Sequence, residues 1–203
     1  PMPGTTEEQP RQDGREPPQM HMNESDRAAW NRFVAAAPAG DVLQCWEWGQ
    51  LKARTGWEPL YFSVRRPEGI RAVALVLKRP IPHTGRCLFY CPRGPIVTPG
   101  DTDSFTELVA DIRAEARRRG AIALQIDPAI KPSDGWYISC MRDLSFRDPG
   151  PMGDGFGGVQ PRAVMKVDLS ASLDEVMARF HSKWRYNIRY AAKHGVTVQA
   201  DCP

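Results

Sequence analysis

Hydrophobic positions recur along this chain with two different periods, and each change of period marks an element. Between residues 25 and 37 they fall three and four apart. Trp30, Phe33, Val34 and Ala37 then share one side of a predicted helix, with Ser25 or Asp26 as its cap and Pro38 and Gly40 past its end. Residues 43–55 predict a second helix, stopped by Gly56, with Trp46 and Leu51 packing it onto a sheet. The period then falls to two. Residues 57–64 and 70–77 predict strands joined by a polar turn over 65–69, and the second is apolar on both faces, as in a sheet covered on both sides. Residues 85–90 predict another short strand. Pro92 and Pro95 lack the donor that a ladder requires, so 91–97 predict a shaped loop or an edge segment.

Helical spacing returns at Phe105, Leu108, Val109, Ile112 and Ala116, behind Ser104-Phe105-Thr106-Glu107, which reads as a capping box. Arg117, Arg118 and Arg119 suit the C-terminal end of this helix, and Gly120 suits its stop. Residues 121–126 predict a buried strand ending at Asp127-Pro128. The stretch 131–158 holds six glycines and three prolines, which predicts a boundary or a long connection. Strand 164–169 follows, then a capping box at Ser172–Glu175 opening a helix through Val176 and Phe180, a basic helix over 183–193, and a strand over 196–199. This order is that of an α/β (α+β) chain in which a second unit starts with little room to finish, since about 40 residues rarely bury a sufficient core.

Composition changes this picture little. With 41% hydrophobic and 25% charged residues, the chain has the balance of an ordinary globular protein, and a net charge of +3 permits anionic partners without requiring nucleic acid. The five cysteines, Cys45, Cys87, Cys91, Cys140 and Cys202, are odd in number and form no CxxC pair, which predicts free thiols in a reducing, cytoplasmic setting and no structural zinc. No apolar run approaches the roughly 18 residues of a membrane span. Residues 1–22 are polar and proline-rich without an apolar centre, which predicts a disordered tail and not a secretory leader.

The candidate chemistry lies in three places. On the basic helix Arg185, Arg189 and Lys193 fall four apart, beside a stripe of Tyr186 and Tyr190. They form either a phosphate-facing ridge, using the bidentate fork of arginine, or a solvated charged face. On the second helix Lys52 stands four residues after Trp48. Its ammonium either reaches over a cleft with its methylenes on the indole, or snorkels into solvent. Asp127 follows an apolar strand, where α/β folds commonly place ligands. It is either a general base toward an amine or the cap of the Pro128 turn. Four scattered histidines support no Ser-His-Asp or Cys-His arrangement. There is no Walker loop, and Arg117–Gly120 makes a poor pyrophosphate loop for acyl-CoA because its glycine ends a helix instead of opening one.

Four segments together resemble the Fem family of peptidoglycan bridge-forming aminoacyltransferases. They are Gln44-Cys45-Trp46-Glu47-Trp48-Gly49-Gln50-Leu51-Lys52, Pro92-Arg93-Gly94-Pro95-Ile96-Val97, Leu124-Gln125-Ile126-Asp127-Pro128, and the run from Lys183-Trp184-Arg185-Tyr186-Asn187-Ile188-Arg189 to Gly195-Val196. The resemblance implies a GNAT-like acyltransferase domain over 23–160, with its connecting loop, and the N-terminal part of a second, incomplete GNAT-like domain over 161–203. It also implies that a complete transferase runs well beyond Pro203. The implied reaction moves an amino acid from aminoacyl-tRNA to the stem-peptide amine of a muramyl-peptide precursor, nucleotide- or lipid-linked, without metal or cofactor. The precursor would bring the protein to the cytoplasmic membrane surface with no integral segment. In this reading Lys52, beside Trp48, contacts the precursor's phosphates and Asp127 stands near the accepting amine; Arg185 and Arg189 are assigned to anionic substrate from their place on the basic helix and not from the resemblance. The alternatives are a related N-acyltransferase with another acceptor or donor, and a noncatalytic RNA- or protein-binding module.

Overall fold

The computed structural model describes residues 24–148, 160–161 and 164–199. The chain divides between Gln160 and Pro161 into two units. The expectation for residues 1–22, the glycines of 150–158 and Cys202 lie outside the described residues.

The first unit opens with α1 (Glu24–Ala36), a short 3-10 turn (Val42–Gln44) and α2 (Trp46–Ala53). Ser25 and Asp26 lie inside α1 and not before it. Trp30 and Val34 are buried on its apolar side as the spacing predicts. The helix expected over 43–55 is broken, because Cys45 takes an extended backbone (φ −67°, ψ 153°) and serves as the N-cap of α2. The two helices are clamped by Arg27 and Asn31, which donate to Glu47, while Asn31 also accepts from the Trp46 N–H. Trp46 stacks on Tyr61 with ring centroids 3.6 Å apart, whereas Leu51 is half exposed and stands outside the core clusters.

The sheet contains β1 (Glu58–Arg66), β2 (Gly69–Pro80), β3 (Cys87–Arg93), β4 (Ile96–Val97) and β5 (Ala121–Pro128), with β1-β2-β3-β5 as its order and β4 also on β2. All neighbours are antiparallel except β3 and β5, which α3 (Thr102–Arg118) joins in parallel. On one face Val73, Leu75, Leu77, Tyr90 and Ile96 pack with Trp30 and Val34. On the other, Phe62, Ala74, Val76 and Phe89 pack with Phe105, Leu108 and Ile112 of α3. The β2 run apolar on both faces is thus covered by a helical layer on each side.

Three expectations change here, and the two readings of the Pro92 segment are resolved. The cap of α3 is Asp101, which accepts from the Ser104 N–H, so Ser104 is a buried first-turn residue and no capping box forms. Of the two readings of the segment around Pro92, the edge segment is the one that forms, because Cys91, Pro92 and Arg93 continue β3 and pair with Ile126, Asp127 and Pro128 while β2 pairs with β3 only as far as Tyr90. Among the described residues β5 has a neighbour on one side only, and its Ile122 is 60% exposed, so it is an edge strand and not a buried one. Finally, α4 (Gly135–Asp143) stands within the stretch read as a connection. Asp134 caps it, and Tyr137 and Cys140 are buried beneath it.

The proline is tolerated in β3 because the sheet parts there. Strands β2 and β3 pair only from Leu77–Tyr90 to Pro80–Cys87. In the gap lies the side chain of Gln44, fully buried. It accepts from the Leu75 N–H at 2.8 Å and donates to the Leu75 and Pro92 carbonyls at 3.2 and 2.5 Å. Backbone N and C=O of one strand residue face the same side, so the donor that Pro92 lacks would have faced this gap and not a ladder. Trp30 closes the arrangement by donating to the Gln44 carbonyl at 2.7 Å.

At the far end of α3, Glu115 is buried and accepts from Arg118 at 2.7 and 2.6 Å and from Arg119. Arg119 reaches on to Glu58, which also pairs with Lys78 at 2.7 Å. The bonds from Arg118 and then Arg119 hold the Glu115 carboxyl below its ordinary value despite burial. Glu115→Gln is expected to cost about 1–3 kcal/mol in urea unfolding at neutral pH. Because the folded value is depressed, this contribution is fully present above the unfolded glutamate value of about 4.3 and is lost as pH falls through the lower folded one. The difference between the two proteins should therefore shrink in acid.

The second unit holds α5 (Leu173–Arg179) and α6 (Ser182–Lys193). The predicted capping box of α5 forms between Ser172 and Glu175. Helix α6 ends as predicted at Gly195 (φ +81°), with Gly195 N–H on the Ala192 carbonyl and Val196 N–H on that of Ala191. The strands expected over 164–169 and 196–199 do not form. A strand needs a paired strand, and among the described residues none pairs with these segments; Met165 and Val198 are almost fully exposed.

Candidate functional site

Helices α1 and α2 cover their face of the sheet over β2, and beyond them Leu88, Ala123 and Gln125 are exposed. At this margin lies a cavity of about 370 Å³ lined by Trp48, Lys52, Trp57, Tyr90, Gln125 and Gln160, among others. The geometry follows from local rules. Trp48 and Lys52 are one helical turn apart on α2, and the Lys52 ammonium sits 5.3 Å from the centroid of the Trp48 ring. Tyr90 and Gln125 are cross-strand partners on β3 and β5, so they face the same side. Gly49, between the two helical residues, is buried against Tyr61, where an added Cβ would stand 2.2 Å from the phenol oxygen. α2 thus lies close on the sheet.

Asp127 occupies the C-terminal end of β5, paired with Pro92. Both of its oxygens are engaged. One accepts from the Arg93 N–H at 2.6 Å and the other from the Tyr90 hydroxyl at 2.9 Å. Arg93 has a left-handed backbone (φ +52°), which is costly for a residue with a Cβ, and the carboxylate holds it. Burial raises the Asp127 carboxyl above its ordinary value, against the lowering effect of these two bonds. Burial likewise raises the Tyr90 phenol, which therefore stays protonated. The Tyr90 oxygen also accepts from Gln160 at 3.2 Å. Asp127 does not itself line the cavity with Trp48 and Lys52. It is joined to that cavity through Tyr90.

Arg185 and Arg189 belong to the second unit. Arg185 is turned back on its own unit, donating to the Phe180 and Ala178 carbonyls at 2.6 and 3.2 Å, and so ties the end of α5 to α6. Arg189 is exposed. The tyrosine stripe is present: Tyr186, Tyr190 and His194 follow with ring centroids 5.8 and 3.8 Å apart. No α6 side chain is buried.

Sequence reasoning gave no role to Tyr90, Gln160, Gln44 or Arg93, although Gln44 and Arg93 stand in segments that carry the resemblance. Tyr90 carried one available signal, its alternation with Phe89 in a strand ending near Asp127. The pairing of Gln44 with a gap 31 residues away has no local signature. Among the described residues no cluster of three His, Cys, Asp or Glu side chains is placed to hold a metal ion, and no helix is long and apolar enough to cross a membrane.

The chain as a whole has relatives among known proteins. The chain is 29% identical over 182 residues to the lipid II:glycine glycyltransferases of Staphylococcus aureus strains MRSA252 and NCTC 8325, which covers 89% of this chain and 42% of theirs. The chain thus spans under half the length of these curated relatives. A crystal structure of FemX superposes with a TM-score of 0.71 at 28% identity, covering 90% of this chain and 45% of the other. The α/β fold with its mixed sheet accordingly resembles a GNAT-like acyltransferase domain. A sequence model of the FemAB family matches residues 26–201, nearly everything the structure describes, and the chain belongs to that family.

Proposed function

We propose that this chain is part of an aminoacyltransferase that moves an amino acid from aminoacyl-tRNA to the stem-peptide amine of a muramyl-peptide precursor. The second unit is the start of a second GNAT-like domain in this reading. The observation that carries the proposal is a cavity lined by both Lys52 and Tyr90, the latter joining it to Asp127 through its hydroxyl, in a chain of the FemAB family. An aminoacyl ester is already activated, so the protein's work is to hold two large anionic substrates, keep the amine neutral and stabilise the oxyanion. Lys52 supplies positive charge against an indole wall, suited to the precursor's phosphates. A cavity of about 370 Å³ takes part of such a precursor and not the whole. Arg185 and Arg189 serve as further anionic contacts, Arg185 with the donors it has left after capping α5. Relatives named for glycine transfer to lipid II support the precursor class.

The direct test incubates the full-length protein with purified precursor and charged tRNA and reads the added residue by mass. Lys52→Ala is expected to weaken precursor binding roughly tenfold to a hundredfold, the loss of one charge-assisted contact, and to leave tRNA binding nearly unchanged. Titration of each substrate separately checks this. Equal weakening of both removes Lys52 from the precursor site.

A further inference from the structure

We propose that Tyr90 is the group that meets the accepting amine and passes its proton to Asp127. This rests on the aminoacyl-transfer reading above. Asp127 is the natural base by chemistry, yet it does not line the cavity, and each of its oxygens already accepts a bond. Tyr90 does line the cavity, and its hydroxyl is oriented. A phenol has one proton to donate and room to accept twice. The proton is committed to the Asp127 carboxylate at 2.9 Å, and one acceptor position takes the Gln160 amide at 3.2 Å. Since the single phenol proton points at Asp127, the Gln160 amide presents N–H and fixes the phenol's rotation. One acceptor position remains for an N–H from the cavity. The charges that act on Asp127 are Arg93, which favours its ionised form, and Asp41, which opposes it. Lys52 is the cation among the described cavity-lining residues.

The step balances without an added reagent. The substrate ammonium gives one proton to solvent. The nitrogen lone pair then forms the C–N bond at the ester carbonyl carbon while its N–H proton moves to the Tyr90 oxygen and the Tyr90 proton moves to Asp127. The C–O bond to the ribose breaks. The proton returns from Asp127 through Tyr90 to the departing ribose oxygen, leaving an amide, a free hydroxyl and both side chains as they began. Because burial keeps the phenol protonated, Tyr90 acts as a hydroxyl throughout and Asp127 holds the charge.

The test is Tyr90→Phe in the full-length protein, which keeps the ring between Trp57 and the sheet and removes the hydroxyl. The expected result is a kcat lower by roughly tenfold to a hundredfold, part of the usual general-base contribution, with KM for the precursor within about twofold. Asp127→Asn added to Tyr90→Phe should then lower kcat far less than it does alone, because the two residues serve one transfer. Wild-type kcat in Tyr90→Phe, or losses that multiply independently, overturn the relay. Tyr90→3-fluorotyrosine, which makes the phenol more acidic with its packing kept, is expected to change kcat even where the phenylalanine variant fails to fold, and an unchanged kcat overturns the relay as well. If wild-type protein transfers nothing, the functional reading itself falls and the relay with it. If wild type transfers and the variants match it, the relay alone falls.

Discussion

Gln44→Ala is expected to destabilise the protein by roughly 3–5 kcal/mol, a large share of the 5–15 kcal/mol by which domains are usually stable. The substitution removes little apolar contact. Its cost comes from the Leu75 N–H and the Leu75 and Pro92 carbonyls, which lie in the gap between β2 and β3 and would lose the Gln44 amide that they bond there. Each buried group left unpaired costs about 1–3 kcal/mol. Gln44→Met, which keeps the volume, should recover little. Gln44→Glu should be worse than Ala, since it sets an anion against two carbonyl oxygens. Urea midpoints measure all three. An independent signature comes from Gly94, where an added Cβ would stand 2.7 Å from the Gln44 amide and 2.8 Å from the Cys91 sulfur. Gly94→Ala alone is expected to cost about 1–3 kcal/mol through overpacking. In the Gln44→Ala background part of that clash disappears, so the double variant should be more stable than the sum of the two losses. Strict additivity would mean that Gln44 does not fill the gap.

This gap also shows how much the amino-acid sequence could say. Periodicity located α1, the strands on either side of the turn before Gly69 and α3, because each buries its own face against a neighbour supplied by this chain; α6, with no buried side chain, was legible from its helical spacing and its stop at Gly195. The same reasoning failed at residues 164–169 and 196–199, whose alternation is real but whose partners are absent among the described residues. At Pro92 it left loop and edge segment open for a different reason. The donor rule for proline holds, but a side chain 48 residues away occupies the place where the ladder would have been. Lys52 and Trp48 were legible because a helical turn relates them. Asp127 was legible as a carboxylate at a strand end, but not its commitment to Arg93 and Tyr90, which depends on parallel pairing of two strands 34 residues apart. Arg185 shared its face with Arg189 on paper, but the break at Phe180 leaves carbonyls that Arg185 satisfies first.

The second large effect is expected at Asp127, where Asp127→Asn should lower transfer by about 10²–10⁴-fold with stability changed by only about 1 kcal/mol. The carboxylate now accepts on both oxygens, from the Arg93 N–H and the Tyr90 hydroxyl. Asparagine offers one carbonyl oxygen, and with that oxygen on Arg93 its NH₂ faces the phenol and turns the phenol proton away. One bond is lost, but so is a charge that burial disfavours, and the two nearly offset. The pH dependence separates base from scaffold. Burial raises the carboxyl above the ordinary aspartate value of about 3.9, so wild-type transfer should rise with pH through that raised value as Asp127 ionises. The folding sign runs the other way. A raised folded value means that the folded state holds the proton more tightly, so this group's favourable contribution is full below the unfolded value and is lost as pH rises through the folded one. Asparagine has neither dependence. Its residual transfer should lack the Asp127 limb, and its stability relative to wild type should improve from acid to neutral pH. Asp127→Ala, which abandons the Arg93 N–H as well, should cost about 1–3 kcal/mol more than Asn. Transfer unchanged by Asp127→Asn across the pH range would take the base role from Asp127. A fall that keeps the wild-type pH profile would instead make the carboxylate a clamp on the left-handed turn at Arg93, because a clamp sets the height of the profile and only a titrating base sets its shape.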